Sequence, residues 1–230
     1  MAAAKLAMDR YSVSPFARID LMSECFITYD PKDPVLKLGK PWLRNEYHDE
    51  VTREILSGEW IEVNIHKSKQ TNFTWRAAGL SLAGMLTQPG YMAYLQSRKH
   101  PVAKEAVARS KYMLEHLDGP LRKVLRDDDW SWNENEGVLT IHTFLGRELR
   151  SSFTALADGA EQWRYLAASI GFIDEAAFLR EFRASHAAAL SACEGGGILV
   201  VQSTADLGSP FNEHVVTGIE LAVKEAAGYG

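Results

Sequence analysis

The stretch "IGFIDEAAF", residues 170–178, decides how the chain is read. Four apolar or small residues suit a strand buried on both faces, and the strand delivers Asp174 and Glu175 to its carboxyl end. In a mostly parallel α/β sheet, ligands gather at that edge. A carboxylate pair there has the layout of a Walker B element, in which the Asp holds Mg²⁺, usually through water, and the Glu polarises the attacking water. The pair also reads as the acidic first turn of a following helix, "AAFLREFRASHAAAL". Taken alone, that cap reading is favoured, because Asp-Glu pairs after strands are common.

The rest of the chain shifts the balance. "WIEVNI" (60–65), "YMAYLQS" (91–97) and "GILVVQST" (197–204) are short apolar runs with strand character. "VLTIHTF" (138–144) and "SSFTALA" (151–157) read as a pair of strands, in the manner of a hairpin. Between them lie a small-residue apolar helix, "WRAAGLSLAGML" (75–86), and an amphipathic one over 100–119 that opens with Pro101 and closes on Gly119. Strands alternating with helices imply a mostly parallel α/β sheet. The first forty residues, ending in the Pro-, Asp- and Lys-rich "YDPKDPVLKLGKP", read as an irregular lead-in wrapped onto a domain spanning 41–230.

Composition limits the alternatives. The 230 residues are 46% hydrophobic and 24% charged, as in a globular protein, and no apolar run is long enough to cross a bilayer. The N-terminus lacks the apolar stretch of a secretory signal, so an intracellular location is expected. A net charge of −5 argues against a chain that coats nucleic acid everywhere, although local contact stays open. Cys25 and Cys193 lie far apart with no Cys or His nearby at metal spacing, so packed, reduced thiols are expected rather than a disulfide or zinc framework.

The segment between the first strand and the apolar helix is the remaining test. Aligned on GxxxxGK(S/T), residues 67–74 read Lys67, Ser68, Lys69, Gln70, Thr71, Asn72, Phe73, Thr74. Thr74 takes the place of the Mg²⁺-binding hydroxyl, while Asn72 and Phe73 replace the Gly-Lys pair. An ordinary polar turn has the same composition. The order of elements (strand, polar loop, helix, further α/β units, strand-Asp-Glu, strand-Ser-Thr) is that of an additional-strand (ASCE) P-loop NTPase.

At this point the chain resembles the ATPase domain of the large terminase subunit of tailed bacteriophages, over most of its length. "KSKQTNFTW" is similar to the deviant loops of that family, with an aromatic in place of lysine. "RSSFTALADGAEQWRYLAASIGFIDEAAF" is similar to its passage from a hairpin through an arginine-bearing loop into the Walker B strand. "ILVVQSTADLGSPFNEHV" looks like its coupling motif, with Ser203 and Thr204 ending a strand. "PWLRNEYHDEV" falls where the family has its adenine-side motif, with Tyr47 and His48 nearest the usual aromatic-Gln pair.

The resemblance implies a motor that hydrolyses ATP with Mg²⁺ to drive double-stranded DNA into a procapsid, in the cytoplasm of an infected host. Its partners would be a portal protein, a small terminase subunit and further copies of itself in a ring, with no membrane. Thr74 and Asp174 would hold Mg²⁺, Glu175 would orient water, and Arg164 would act on a neighbouring subunit's ATP. Lys67 would be the phosphate lysine and Lys69 the runner-up, and Ser203 and Thr204 would sense the γ-phosphate. The basic "SRKHPVAK" segment, or simply a solvated helix start, would face DNA. The family's nuclease domain is expected to be absent from this chain. A helicase-like or remodelling ATPase, and a non-catalytic portal- or DNA-docking module, are the alternative readings.

Overall fold

Alternation of apolar side chains between two faces organises the protein around one sheet. The structure, a computed structural model, describes residues 2–28, 39–42, 46–67, 73–204 and 206–217. Its strands are β1 (Ile27–Thr28), β2 (Lys40–Pro41), β3 (Glu62–Lys67), β4 (Met92–Gln96), β5 (Trp130–Asn133), β6 (Val138–Phe144), β7 (Arg147–Leu156), β8 (Ile170–Ile173) and β9 (Ile198–Thr204). β1 and β2 form a small antiparallel pair, and the other seven form one sheet in the order β3-β9-β8-β4-β7-β6-β5. The five strands from β3 to β7 run parallel, whereas β5 and β6 continue the sheet antiparallel. The expected hairpin is β6–β7, turning at Leu145 and Gly146, both with positive φ.

Both sheet faces are covered. Val200 packs into one apolar cluster, while its neighbours Leu199 and Val201 pack into another, as the two-residue strand period requires. The first cluster is completed by α1 (Ala2–Tyr11), α2 (Ala17–Cys25), α3 (Glu46–Leu56), α4 (Phe73–Thr87) and α5 (His100–Glu115), and the second by α6 (Phe182–Cys193). α4 is buried along nearly its whole length. Its two glycines explain how neighbours come so close: a Cβ on Gly79 would lie 2.6 Å from the Trp42 ring, and one on Gly84 would lie 2.3 Å from the Tyr91 ring. Gly in a helix interior costs about 1 kcal/mol relative to Ala, and here it admits two aromatic rings.

Several sequence expectations need correction. Residues 2–11 and 17–25 are helical rather than irregular, and they do pack on the domain: Arg18 reaches Thr87 Oγ1 at 3.2 Å and Gln88 Oε1 at 2.8 Å. "AAAKLAMDRY" consists largely of strong helix formers, and the Pro- and Asp-rich composition that suggested a lead-in belongs to 29–41. Residues 29–38 lie outside the described residues, as do 43–45 and 218–230. The first core strand starts at Glu62 and runs to Lys67, two residues later than expected. The helix expected over 100–119 ends at Glu115, where His116 stacks on Tyr112 at 4.1 Å. β5, where Trp130 and Trp132 alternate with Ser131 and Asn133, is not among the expected strands, since four residues are too few to separate a strand from the surrounding turns.

Cys25 and Cys193 are free and buried. Burial pushes their thiols up to about 11 and about 12 respectively, so both are protonated at neutral pH. No helix among the described residues is long and apolar enough to cross a membrane.

Candidate active site

Strand order brings three distant segments to one edge. β9 lies between β3 and β8, with Lys67 paired in register to Thr204 and His66 to Ser203. β8 ends at Ile173, so Asp174 leaves the sheet at this same carboxyl edge. Asp174 is only 4% exposed, and its backbone N–H donates to the Gln96 carbonyl at 2.9 Å.

A buried carboxylate must be compensated, and this one is. The Lys67 ammonium lies 2.9 Å from Oδ1, the Thr74 hydroxyl lies 3.3 Å from Oδ2, and the Glu175 backbone N–H donates to Oδ1 at 2.9 Å. Lys67 ends β3 and Thr74 sits in the first turn of α4. Both ends of the connecting segment are therefore tied to one carboxylate. Ser68, Lys69, Gln70, Thr71 and Asn72 lie outside the described residues.

The helix-cap reading of Asp174 and Glu175 is not what the chain does. Glu175 adopts a left-handed conformation (φ 57°, ψ 36°), and its side chain caps nothing. The 3₁₀ turn Ala176–Phe178 follows, and α6 starts only at Phe182. A non-glycine residue in this region is uncommon and clusters at functional sites. The turn is held from the neighbouring strand, because the Ala177 N–H donates to Ser203 Oγ at 3.1 Å. Ser203 thus joins the end of β9 to the segment that carries Glu175. Thr204 stands beside Lys67.

Phe73, at the position of the missing lysine, is buried and points to the core rather than the loop. Its ring meets His48 edge-on at 5.8 Å, and His48 lies 6.0 Å from the Tyr47 ring. Tyr47 and His48 open α3 (Glu46–Leu56), which is pinned to α4 by a buried ion pair between Asp49 Oδ1 and Arg76 Nη1 at 2.8 Å. The Arg76 guanidinium also lies over the Trp42 ring at 5.0 Å. Burial, reinforced by the Arg76 charge, holds the His48 imidazole below its ordinary pKa. The segment expected on the adenine side therefore joins the start of α4.

Arg164 stands exposed on the turn after Trp163, outside the Lys67–Thr74–Asp174–Glu175 group. In the basic segment, Arg98 and Lys99 are exposed ahead of α5, and Lys104 donates to the Glu134 carbonyl at 3.1 Å.

Two supporting elements were missed in the sequence. Gln96, fully buried at the end of β4, donates to the Ala157 and Gly159 carbonyls at 2.8 and 2.9 Å and accepts from Trp163 Nε1 at 3.0 Å. The available signal was the one that pointed to Asp174, a polar residue closing a buried strand. The Asp49–Arg76 pair left no signal, since its partners lie 27 residues apart on two helices.

Solved structures share this architecture. The large terminase of bacteriophage HK97 superposes with a TM-score of 0.65 at 12% identity, over 89% of this chain and 41% of that one. The ATPase domain of the Thermus phage P74-26 large terminase superposes with a TM-score of 0.57 at 16% identity, over 75% of this chain and 69% of that one. The fold is that of a phage large-terminase ATPase domain. At these identities the likeness concerns the terminase-type fold, and the chain spans less than half of the HK97 protein's length. No protein-family model matches the chain, and no curated protein matches it. The strand inserted between β3 and β8 is β9, the one that ends in Ser203 and Thr204, so the sheet has the additional-strand order.

Proposed function

We propose that this chain is an ATP-hydrolysing motor domain that drives double-stranded DNA into a procapsid. The observation that carries the reading is the meeting of Lys67 and Thr74 on the buried Asp174 carboxylate. A lysine, a hydroxyl and an acid from two strand ends and a helix start are the groups a nucleotide triphosphate with its metal requires. The terminase-type fold supports the packaging role.

The donor set suits Mg²⁺, a hard ion that takes oxygen ligands: Asp174 Oδ2 and Thr74 Oγ1 lie 3.3 Å apart and face one another. Bound there, the ion would neutralise charge on the phosphate oxygens. Lys67 would turn from Asp174 to those oxygens, and the free amides at the start of α4 would receive the phosphates. Glu175 would orient the attacking water. Ser203, which holds the turn after Glu175, would carry the state of that turn to β9, with Thr204 alongside Lys67. Arg164 would be offered to a neighbouring copy in a ring. DNA would be held through its phosphates, with Arg98 and Lys99 on one exposed flank. Portal protein and small terminase subunit would be partners in the host cytoplasm.

Calorimetric titration of the chain with ATP, with and without Mg²⁺, tests the reading alongside phosphate release. Saturable Mg²⁺-dependent binding that is lost in Asp174→Ala is expected. Absence of binding would make the domain a docking module instead.

A further inference from the structure

At the other end of β3, three side chains that no part of the nucleotide reading uses come together. Glu62 opens β3, His186 lies on α6, and His214 lies in the helical residues 210–217 that follow β9. His186 Nε2 is 2.9 Å from Glu62 Oε2, and His214 Nε2 is 2.7 Å from Glu62 Oε1. One ligand atom from each of the three lies within 4.8 Å of the others. Glu62 and Lys67 are five residues apart on a strand, about 16 Å at the usual rise, so this cluster is separate from the nucleotide edge.

We infer that Glu62, His186 and His214 form a binding site for a divalent transition ion of the zinc class. Two imidazole nitrogens and a carboxylate oxygen, with a fourth position left to water, make one of the sets that hold Zn²⁺. Nitrogen donors favour Zn²⁺ and its transition-series neighbours over Mg²⁺ and Ca²⁺, which take oxygen. Both rings direct Nε2 at a single carboxylate, so the ligand atoms already converge. Ligands about 2 Å from a tetrahedral ion stand roughly 3.3 Å from one another, so the 2.9 and 2.7 Å contacts need to open by about half an ångström, and the other separations, all within 4.8 Å, need to adjust to the same spacing. The Glu62 and His186 side chains are 14% and 13% exposed and that of His214 is 34% exposed, which leaves a solvent side for the water ligand. The opposite wall is apolar: the Phe182 ring lies 5.5 Å from His186 and 6.0 Å from His214.

Binding exchanges protons for the ion. The coordinating Nε2 must be free of hydrogen, and the ring then carries its single hydrogen on Nδ1; a doubly protonated imidazole gives up one proton on binding, so acid competes with the ion. The ion would also fasten residues 210–217 to the amino end of β3. The Phe211 ring already packs at a tilt against His66, with centroids 4.9 Å apart, one residue before Lys67. The segment after Ser203 and Thr204 would thereby be locked against the strand that leads into Lys67.

The test is to strip the protein with a chelator, titrate it with Zn²⁺ against a chromogenic competitor, and titrate it separately with Co²⁺ followed by visible absorption. One ion per chain is expected, with tetrahedral Co²⁺ bands free of thiolate charge transfer and no competition from millimolar Mg²⁺. His186→Ala, His214→Ala and Glu62→Gln should each weaken binding at least about tenfold, the lower end of what changing the groups that merely orient ligands costs. Exposed His142→Ala should leave it unchanged. If a variant does not fold, imidazole ¹⁵N spectra of the parent decide: Zn²⁺ should shift two Nε2 resonances. Lack of saturable uptake, uptake unaffected by all three variants, equal competition by Mg²⁺, or unshifted imidazoles would each overturn the site and leave a hydrogen-bonded clamp.

Discussion

The Lys67 ammonium lies 2.9 Å from Asp174 Oδ1 across 107 residues of chain. The last residue of the strand entering the loop thus compensates the first residue beyond the acidic strand. Lys67 is therefore stationed at the edge where phosphate would arrive, although the position usually held by lysine is occupied by the inward-facing Phe73.

Lys67→Ala should weaken Mg·ATP binding by about 10- to 100-fold, the worth of one charge-assisted hydrogen bond of roughly 1.5–3 kcal/mol. Lys69→Ala should cost less. Calorimetry on the two variants checks this, and a larger loss at Lys69 would reassign the phosphate lysine.

Glu175→Gln should bind ATP as the parent does while hydrolysing it about 10²- to 10⁴-fold more slowly, the usual cost of a positioned base. Single-turnover phosphate release alongside a binding titration separates the two effects. An unchanged rate would return Glu175 to a purely conformational role.

Arg164 is exposed on its turn, and in the proposed ring its guanidinium would be offered to a neighbouring copy. Turnover per subunit should rise with protein concentration and fall in Arg164→Ala by as much as about 10³-fold, the lower end for an arginine finger. A rate independent of both concentration and substitution would dismiss the role.

Asp49→Ala leaves the buried Arg76 cation without its carboxylate, and unfolding in urea should show a loss of about 3–5 kcal/mol. The double variant Asp49→Leu, Arg76→Met should recover most of it, since well-packed apolar substitutes for a buried pair are often neutral. A single-variant loss below about 1 kcal/mol would refute the pair's structural role.

His48 titrates below its ordinary value, chiefly through burial and then through Arg76. Its folded pKa is depressed, so the unfolded chain binds the proton more readily. The stability it confers is complete above about 6.5, the unfolded value, and is lost as pH falls from there through the folded pKa. Denaturation midpoints measured from pH 8 to 5 should decline, and less steeply in His48→Gln. Equal slopes would contradict the assignment.

What the sequence by itself determined is local. The unbroken apolar run of "GILVVQST", the apolar "IGFI" stopping at Asp174, and the Pro101 that opens the helix beginning at His100 name the elements because strand and helix signals and their terminators act within a few residues. The order of those elements pointed to the additional-strand fold, and the ends of the strands pointed to Asp174, Glu175, Ser203 and Thr204. Helices in the first twenty-five residues were obscured by the composition of the segment after them.

Only the tertiary structure decided which strand ends meet. Placement of β9 between β3 and β8 sets Thr204 beside Lys67 and brings Lys67 to Asp174. The same assembly turns Phe73 inward against His48, puts Gln96 behind Trp163, and gathers Glu62, His186 and His214 from positions up to 152 residues apart. Such contacts depend on sheet order and burial, which act through space, and the spacing of residues along a chain carries no record of either.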